Sequence, residues 1–349
     1  MLYSKLAISG SGLSNQIFSL ITSIIIGIKN GNKVIVVENF LTDYSKTNTA
    51  NISQILNIDK INKFLYTKYG IIIVDKCNVD LKINYITYGT NNSKYYLTNY
   101  YKYPFTIPKE TSFNSICGDP VPNVQKQLIV NYTINGYTIE EIYAENLTND
   151  IIFDIKNANY VNTFAWINTY DKTIFEDILV NIIFNDELVN QANNIISYIN
   201  KPNKINVIHL RVENDAIQHW SKMNQMNEQQ FKNIIETKYI NLFKKYISRT
   251  DLNIILTSSK SNGVFNFLQN ENYQYVIVNK LYEDRELNAI IDLLVSTSCN
   301  NKFIGNFNFK YLNGSTFSYY ISKLINTNIE KIMIDLDRII NEEQIFKQL

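Results

Sequence analysis

The chain has 349 residues, of which 45% are hydrophobic and 19% charged, and its formal net charge is +1. This length and composition are typical of a folded protein with up to two domains, and they exclude a disordered chain. The near-neutral charge argues against nucleic-acid binding. The three cysteines lie far apart in the sequence, so neither a disulfide framework nor a zinc site is predicted.

The first predicted strand lies close to residue 1, and the apolar stretch "IFSLITSIIIGI" is too short to span a bilayer. We therefore expect this stretch to be a buried helix in a cytoplasmic protein without a transmembrane segment.

The N-terminal part predicts a βαβ unit. Short β-rich runs cover residues 4–9, 33–37 and 71–75, and an apolar helix is expected over residues 18–30. Gly31 follows at the position where a helix commonly ends. A βαβ unit implies a parallel sheet.

Residues 84–140 show a weaker pattern. This stretch is rich in Tyr and Asn, and four of the five prolines of the chain fall between residues 104 and 122. We predict irregular structure here, which could line a sugar-acceptor site because aromatic rings stack on sugars.

The second half alternates strands and helices. Strands are predicted at 205–212, 253–259, 273–279 and 302–307, with helices at 227–247, 262–269, 285–298 and 315–325. This alternation predicts a second doubly wound domain. The expected domains are therefore 1–165 and 166–325, followed by a C-terminal helix over 326–349, with a ligand cleft between the two domains.

Both histidines of the chain lie in one segment, "HLRVENDAIQH", with one of its few arginines. His209 and Arg211 alternate at the end of a predicted strand, so they share a face. An Arg fork suits a phosphate because it donates two parallel hydrogen bonds. The alternative is that His209 packs under a loop while Arg211 pairs with Glu213 or Asp215.

A second anion-binding feature is predicted at "NGSTFSYY". Ser315 and Thr316 are expected at the start of a helix, where backbone N–H groups and the helix dipole favour an anion. An ordinary capping serine is the alternative. Together with Arg211, this helix start predicts a pyrophosphate-binding site.

Three segments, in this order, resemble the GDP-fucose-dependent fucosyltransferases, the superfamily of α1,2-, α1,6- and protein O-fucosyltransferases. "GSGLSNQIF" resembles their "GGLGNQ-F" start, and "HLRVEND" resembles their "H-[IV]-R-R-G-D" segment. The third segment, residues 290–325, resembles a block with an Asp on a helix, a strand, and "S-S/T-F-S" before a helix.

The resemblance implies an α/β, GT-B-like fold with two Rossmann-like domains that face each other across a cleft. It implies an inverting, metal-independent glycosyltransferase that transfers fucose from GDP-fucose to a glycan or protein hydroxyl. The N-terminal domain would form the acceptor side and the C-terminal domain would bind the nucleotide sugar. The implied donor-binding residues are Gly12, Asn15, His209, Arg211, Asp292, Ser315, Thr316 and Phe317.

The chain also departs from the family pattern. The second Arg is Val212, the Gly is Glu213, and the Asp is Asn214 with Asp215 one position later. Because inverting transfer uses a base for the acceptor hydroxyl, we take Glu213 and Asp215 as candidate bases beside Arg211, with His219 as a weaker one.

A metal-binding Asp-x-Asp motif is matched only by Asp335 and Asp337, in the predicted C-terminal helix. We therefore interpret this pair as surface residues.

Two other functions stay open. An NAD(P)-dependent oxidoreductase is favoured by the G-x-G start and by Glu38 after a predicted strand, but Asn15 replaces the third glycine of that fingerprint. A non-catalytic protein that binds a sugar nucleotide or a glycan on the same fold is the other alternative.

Overall fold

The computed structural model describes residues 2–5, 12–43, 48–162, 171–199, 204–259, 262–278, 280–308 and 314–336. The chain divides into two compact units. Unit 1 extends to Ile183; unit 2 begins at Phe184 and also includes the earlier residues 12–15, 42–43 and 48. The domain change expected at 165–166 falls outside the described residues. None of the described helices is both long and apolar enough to cross a membrane.

The described strands and helices are numbered along the chain. The strands are β1 (Leu2–Lys5), β2 (Val34–Val37), β3 (Phe40–Leu41), β4 (Thr49–Ala50), β5 (Ile72–Asp75), β6 (Leu81–Gly89), β7 (Lys94–Tyr96), β8 (Phe105–Ile107), β9 (Gln127–Ile134), β10 (Tyr137–Ala144), β11 (Ile151–Phe153), β12 (Asn159–Asn162), β13 (Ile205–His209), β14 (Leu252–Leu256), β15 (Tyr275–Ile277), β16 (Lys302–Gly305) and β17 (Glu330–Met333). The helices are α1 (Leu13–Lys29), α2 (Ile52–Ile55), α3 (Ile58–Tyr69), α4 (Phe113–Cys117), α5 (Lys172–Val180), α6 (Asp186–Ile199), α7 (Asn214–Met223), α8 (Glu228–Tyr246), α9 (Gly263–Asn270), α10 (Arg285–Ser296) and α11 (Thr316–Leu324).

Unit 1 contains a parallel sheet with the strand order β12-β1-β2-β5. The predicted βαβ unit is confirmed for β1, α1 and β2, although residues 6–11 of the opening segment lie outside the described part. A Cβ on Gly27 of α1 would come within 2.6 Å of the Ile35 side chain. The glycine therefore permits close packing of α1 against β2. Gly31 has a φ of +71° just after α1, as its C′ position requires.

The prediction of irregular structure over residues 84–140 is wrong. Strands β6, β7, β9 and β10 form an antiparallel sheet in the order β10-β9-β6-β7. Alternate residues of β9 are buried, including Tyr132 and Ile134, and they pack with Val34 and Val74 of the parallel sheet in one core. The antiparallel sheet forms because this alternation gives it an apolar face. The proline-rich stretch between β8 and β9 forms the short helix α4 and otherwise contains turns and loops.

Unit 2 contains a fully parallel sheet with the order β15-β14-β13-β16-β17. Numbered from β13, this order is 3-2-1-4-5, which is that of a doubly wound nucleotide-binding fold. Every residue of β13 is buried, as expected for a central strand with helices on both faces. The prediction of two α/β units with Rossmann-like parallel sheets is confirmed.

The predicted C-terminal helix is wrong where the structure describes it. Residues Glu330–Met333 form β17, which pairs in parallel with β16. Ile334 and Leu336 then pack into the core of unit 2, so pairing and burial outweigh the helical pattern. Asp335 follows this strand, whereas Asp337 and residues 338–349 lie outside the described part.

Candidate functional site

A cavity of about 690 Å³ opens at the carboxyl end of β13, and every residue that lines it belongs to unit 2. The sheet order reverses between β13 and β16, which is the topological switch point where doubly wound folds bind ligands. The structure brings all the predicted site residues to this cavity: Gly12, Asn15, His209, Arg211, Glu213, Asp215, Asp292, Ser315, Thr316 and Phe317. His219 lies on α7 and is exposed outside the cavity.

His209 is the last residue of β13 and is buried. Its Nδ1 lies 2.6 Å from Oγ of Ser318 on α11, and its ring contacts Phe317 edge-on at 5.1 Å. Burial, and secondarily the charge of Arg211, hold the pKa of His209 well below its usual range. A neutral imidazole in this position links β13 to the first turn of α11 and does not act as a cation.

Arg211 extends into the cavity two residues after β13. Its guanidinium lies 3.3 Å from Oε2 of Glu213 and 3.6 Å from Oδ2 of Asp215. The guanidinium carbon also lies 5.6 Å from the centre of the Trp220 ring. The Nε atom is buried and has no hydrogen-bond partner among the described residues. The Arg211 side chain as a whole is 19% exposed, so the accessible part of its guanidinium can donate to an anion in the cavity.

The backbone around Arg211 is fixed by a buried tyrosine of α8. The hydroxyl of Tyr239 donates to the carbonyl oxygen of His209 at 2.8 Å and accepts from the backbone N–H of Arg211 at 3.2 Å. The Tyr239 side chain is fully buried. One hydroxyl therefore satisfies a donor and an acceptor beyond the end of β13 and sets the direction in which Arg211 leaves the sheet.

Glu213 is held by the loop that follows β14. Its Oε1 accepts hydrogen bonds from the hydroxyl of Thr257 at 3.2 Å and from the N–H of Ser258 at 3.1 Å. Glu213 is buried, whereas the Asp215 side chain is 49% exposed. Glu213 is thus a fixed counter-charge for Arg211, while the carboxylate of Asp215 is accessible to a molecule in the cavity.

The start of α11 forms another part of the wall. Ser315 is its N-cap, and its hydroxyl accepts from the N–H of Ser318 at 3.3 Å. The predicted position of Ser315 at the start of a helix is confirmed, while its role at an anion site stays a prediction. The next N–H groups, of Thr316 and Phe317, belong to the helix start, where no intrahelical partner exists. They present a partial positive charge toward an anion.

Asp292 on α10 is a partly buried carboxylate in the same cavity. It makes no hydrogen bond with any residue in the described ranges. Burial raises its pKa to about 7, and the nearby positive charge of Lys280 opposes this shift. Asp292 is therefore a hydrogen-bonding group whose protonation changes near neutral pH.

The first turn of α1 completes the described wall. The N–H of Leu13 donates to Oε2 of Glu286, on α10, at 2.6 Å. Glu286 is 3% exposed, and burial raises its pKa. Its carboxyl group occupies the end of α1 where a dinucleotide fold would bind phosphate.

Sequence reasoning missed Glu286 and Tyr239. Their partners are Leu13, His209 and Arg211, far away in sequence, and no local motif marks either contact. Among the residues in the described ranges, no group of three or more His, Cys, Asp or Glu side chains is arranged to hold a metal ion.

No known protein-family profile matches the sequence, and no curated protein matches it by sequence. Solved structures do match. POFUT1 in complex with GDP-fucose superposes with a TM-score of 0.51 at 11% identity, covering 95% of this chain and 97% of that chain. POFUT1 in complex with GDP gives a TM-score of 0.50 at 10% identity over the same shares. The chain therefore shares the fold of POFUT1. At this identity the likeness establishes the fold and not the activity.

The fucosyltransferase NodZ from Bradyrhizobium is also similar, with a TM-score of 0.48 at 12% identity over 93% of this chain and 92% of that chain.

Within this shared fold, the three segments that resemble the fucosyltransferases in sequence all contribute residues to the same cavity. The departures from the family pattern have different surroundings. Val212, in place of the second Arg, is buried in the core of unit 2. Glu213, in place of the Gly, is the buried counter-charge of Arg211. The position of the second Arg therefore contributes no charge to the cavity.

Proposed function

We propose that this chain is an inverting, metal-independent glycosyltransferase that transfers fucose from GDP-fucose to a hydroxyl group of a glycan or protein. The observation that carries the proposal is the meeting of two anion-binding features in one cavity at the switch point. These features are the partly exposed guanidinium of Arg211 and the Ser315-capped start of α11. The fold shared with GDP-fucose-bound POFUT1 supports the choice of donor.

In the proposed reaction, the acceptor oxygen attacks the anomeric carbon of the sugar from the side opposite the diphosphate. The bond between that carbon and the diphosphate oxygen breaks, and its electron pair leaves with the diphosphate. Arg211 and the N–H groups of Thr316 and Phe317 stabilise the charge that develops there. These groups supply the stabilisation that a metal provides in other transferases.

Asp215 is the proposed base. Its carboxylate is accessible, so it can accept the proton of the acceptor hydroxyl as the new bond forms. Glu213 is less suited, since its Oε1 already accepts two hydrogen bonds. We assign Glu213 the role of holding Arg211. Asp292 and His209 complete the proposed donor site, with His209 acting through Ser318 at the start of α11.

A dinucleotide-dependent oxidoreductase is less well supported. The Glu286 carboxyl group occupies the start of α1, where the pyrophosphate of a dinucleotide would bind. Glu38, the candidate ribose-binding acid, lies 3.4 Å from Nζ of Lys76. The position of the Glu286 carboxyl group is the observation that argues against this function, because the exposed pair of Glu38 and Lys76 is weak.

The decisive experiment is calorimetric titration of the protein with GDP, UDP and NAD. We expect GDP to bind most tightly. The variant Arg211→Ala should weaken GDP binding by about 10- to 100-fold, because a charge-assisted hydrogen bond is lost. Arg249→Ala is the matched control, since Arg249 is exposed and pairs with Glu271, and it should change GDP affinity by less than about twofold.

Tight binding of NAD without binding of GDP or UDP would refute the transferase proposal. Unchanged GDP affinity in Arg211→Ala, with the protein still folded, would remove Arg211 from the site. Binding of GDP without transfer or hydrolysis of GDP-fucose would instead favour the non-catalytic sugar-nucleotide-binding alternative.

A further inference from the structure

The first turn of α10 holds two segments of unit 2 that come from early in the chain. The N–H of Leu13 donates to Oε2 of Glu286, and the N–H of Glu286 donates to the carbonyl oxygen of Thr42 at 3.0 Å. The side-chain amide of Asn48 also donates to Oδ1 of Asp284 at 2.7 Å. Residues 12–15, where α1 begins, are thus attached to the rest of unit 2 through Glu286.

Glu286 has the properties of a fixed internal group. It is 3% exposed, and Nε of Arg285 lies 3.8 Å from its Oε1. A carboxylate at a helix start is stabilised by the N–H groups and dipole of that helix. The turn also packs directly on this carboxyl group: a Cβ on Gly12 would lie 3.4 Å from Oε2. The carboxyl group therefore has little room to move away from the turn.

The turn itself is closed, so that holding one residue holds the others. The N–H of Asn15 donates to the carbonyl oxygen of Gly12 at 3.0 Å. The described helix begins at Leu13, between these two residues. Both Gly12 and Asn15 line the cavity. The position of the Asn15 side chain in the wall consequently depends on the hydrogen bond between Leu13 and Glu286.

We propose that Glu286 is a positioning residue for the transfer reaction. It holds the closed turn from Gly12 to Asn15 in the cavity wall, so that Asn15 meets the bound nucleotide sugar at a fixed distance. The identity of the ligand rests on the proposed function, whereas the attachment of the turn does not. Glu286 itself does not touch the reacting atoms; it acts through Leu13.

Two variants and a control test this role. Glu286→Ala removes the acceptor for the Leu13 N–H, whereas Glu286→Gln keeps an acceptor oxygen of nearly the same shape. Glu228→Ala is the matched control, because Glu228 is an exposed glutamate in the first turn of α8. Each protein is examined by amide hydrogen exchange over residues 13–15, by steady-state turnover of GDP-fucose and by GDP titration.

We expect Glu286→Ala to raise exchange over residues 13–15 by about tenfold or more, the size expected for loss of a charge-assisted hydrogen bond. The value of kcat/KM for GDP-fucose should fall by a similar factor. The Kd for GDP should change by less than about threefold, since Arg211 and α11 hold the diphosphate. Glu228→Ala should stay within about threefold of the wild type in all three measurements, and Glu286→Gln, which keeps a neutral acceptor oxygen, should change exchange and kcat/KM clearly less than Glu286→Ala does.

Unchanged exchange over residues 13–15 in Glu286→Ala would overturn the proposal. Raised exchange with unchanged kcat/KM would also overturn it, because the turn would then be attached without importance for catalysis. An equal loss in Glu286→Gln would contradict a role based on the acceptor oxygen. If the wild-type protein neither binds GDP nor turns over GDP-fucose, the proposed function fails and the positioning role fails with it, while the exchange data still report on the attachment of the turn.

Discussion

Replacement of Asp292 by Asn should make the protein more stable at neutral and alkaline pH. The Asp292 carboxylate is partly buried, makes no hydrogen bond within the described part of the chain, and has a pKa raised to about 7 by burial. The charged form of Asp292 therefore destabilises the folded protein above pH 7. An asparagine has nearly the same shape and carries no charge, so it avoids this cost.

The size and sign of the effect follow from the two pKa values. In the unfolded chain the group titrates near its ordinary value of 3.8, and in the folded chain near about 7. Between these values the folded protein binds the extra proton, so the stabilisation present below pH 3.8 is lost as the pH rises to about 7. At about 1.4 kcal/mol per pH unit the upper figure is about 4 kcal/mol. Because the side chain keeps some contact with solvent, we expect about 2 kcal/mol.

The assay is urea denaturation of the wild type and of Asp292→Asn at several pH values from 4.5 to 8, with tryptophan fluorescence as the signal of unfolding. The free energy of unfolding of the variant should exceed that of the wild type by about 2 kcal/mol at pH 8. The difference should shrink toward zero as the pH falls to 4.5. Asp80→Asn is the control, because Asp80 is exposed, and it should show no pH-dependent difference.

A variant that is no more stable than the wild type at pH 8 would refute this reasoning. So would a difference that does not change with pH, because the gain would then come from packing and not from the removed charge. The same substitution should weaken GDP binding if Asp292 belongs to the donor site. Stability and ligand affinity would then change in opposite directions, which is common at functional sites.

Two further substitutions test other parts of the site. Tyr239→Phe removes the hydroxyl that bridges the backbone on either side of Leu210, so it should cost about 1–2 kcal/mol of stability and weaken GDP binding several-fold. The control Tyr246→Phe, on the same helix, should change neither stability nor GDP binding. Equal effects of the two substitutions would contradict the role of the Tyr239 hydroxyl. Asp215→Asn should lower kcat for fucosyl transfer by about 100-fold or more with little change in the KM for GDP-fucose. Full activity of Asp215→Asn in a transfer assay would exclude Asp215 as the base.

The alternating elements of unit 2 could be predicted because its parallel strands are continuous apolar runs between amphipathic helices. The antiparallel sheet of unit 1 carried a usable signal that the composition of the segment obscured. Asn135 and Gly136 join β9 to β10, and both have positive φ, at 46° and 83°. An Asn-Gly pair between two alternating runs is typical of a hairpin. The polar residues Asn84 and Asn131 made the strands resemble loops, but their side chains hydrogen-bond to each other across two neighbouring strands.

The strand β17 could not be predicted by local pattern. Its four residues, Glu330–Met333, become a strand by pairing with β16 at the edge of the sheet, and this pairing is a long-range property. The residues of the candidate site also differ in whether the local sequence marks them. Arg211 and Ser315 were accessible to sequence reasoning because rare residue types and helix-start chemistry are local. Glu286 was not, since its role depends on a contact with a distant turn.

The bond between Leu13 and Glu286 joins residues that are 273 positions apart in the chain. During synthesis, residues 12–15 therefore emerge long before Glu286, the residue that holds them in the cavity wall. Closing so long a loop costs little more entropy than closing a shorter one, but such contacts form late in folding. A fragment that starts at Phe184 would contain the five strands of the second sheet and still lack this wall. If the chain before Phe184 were replaced by that of another protein, the wall at residues 12–15 would be replaced with it. The cavity of unit 2 would then combine residues from two different proteins.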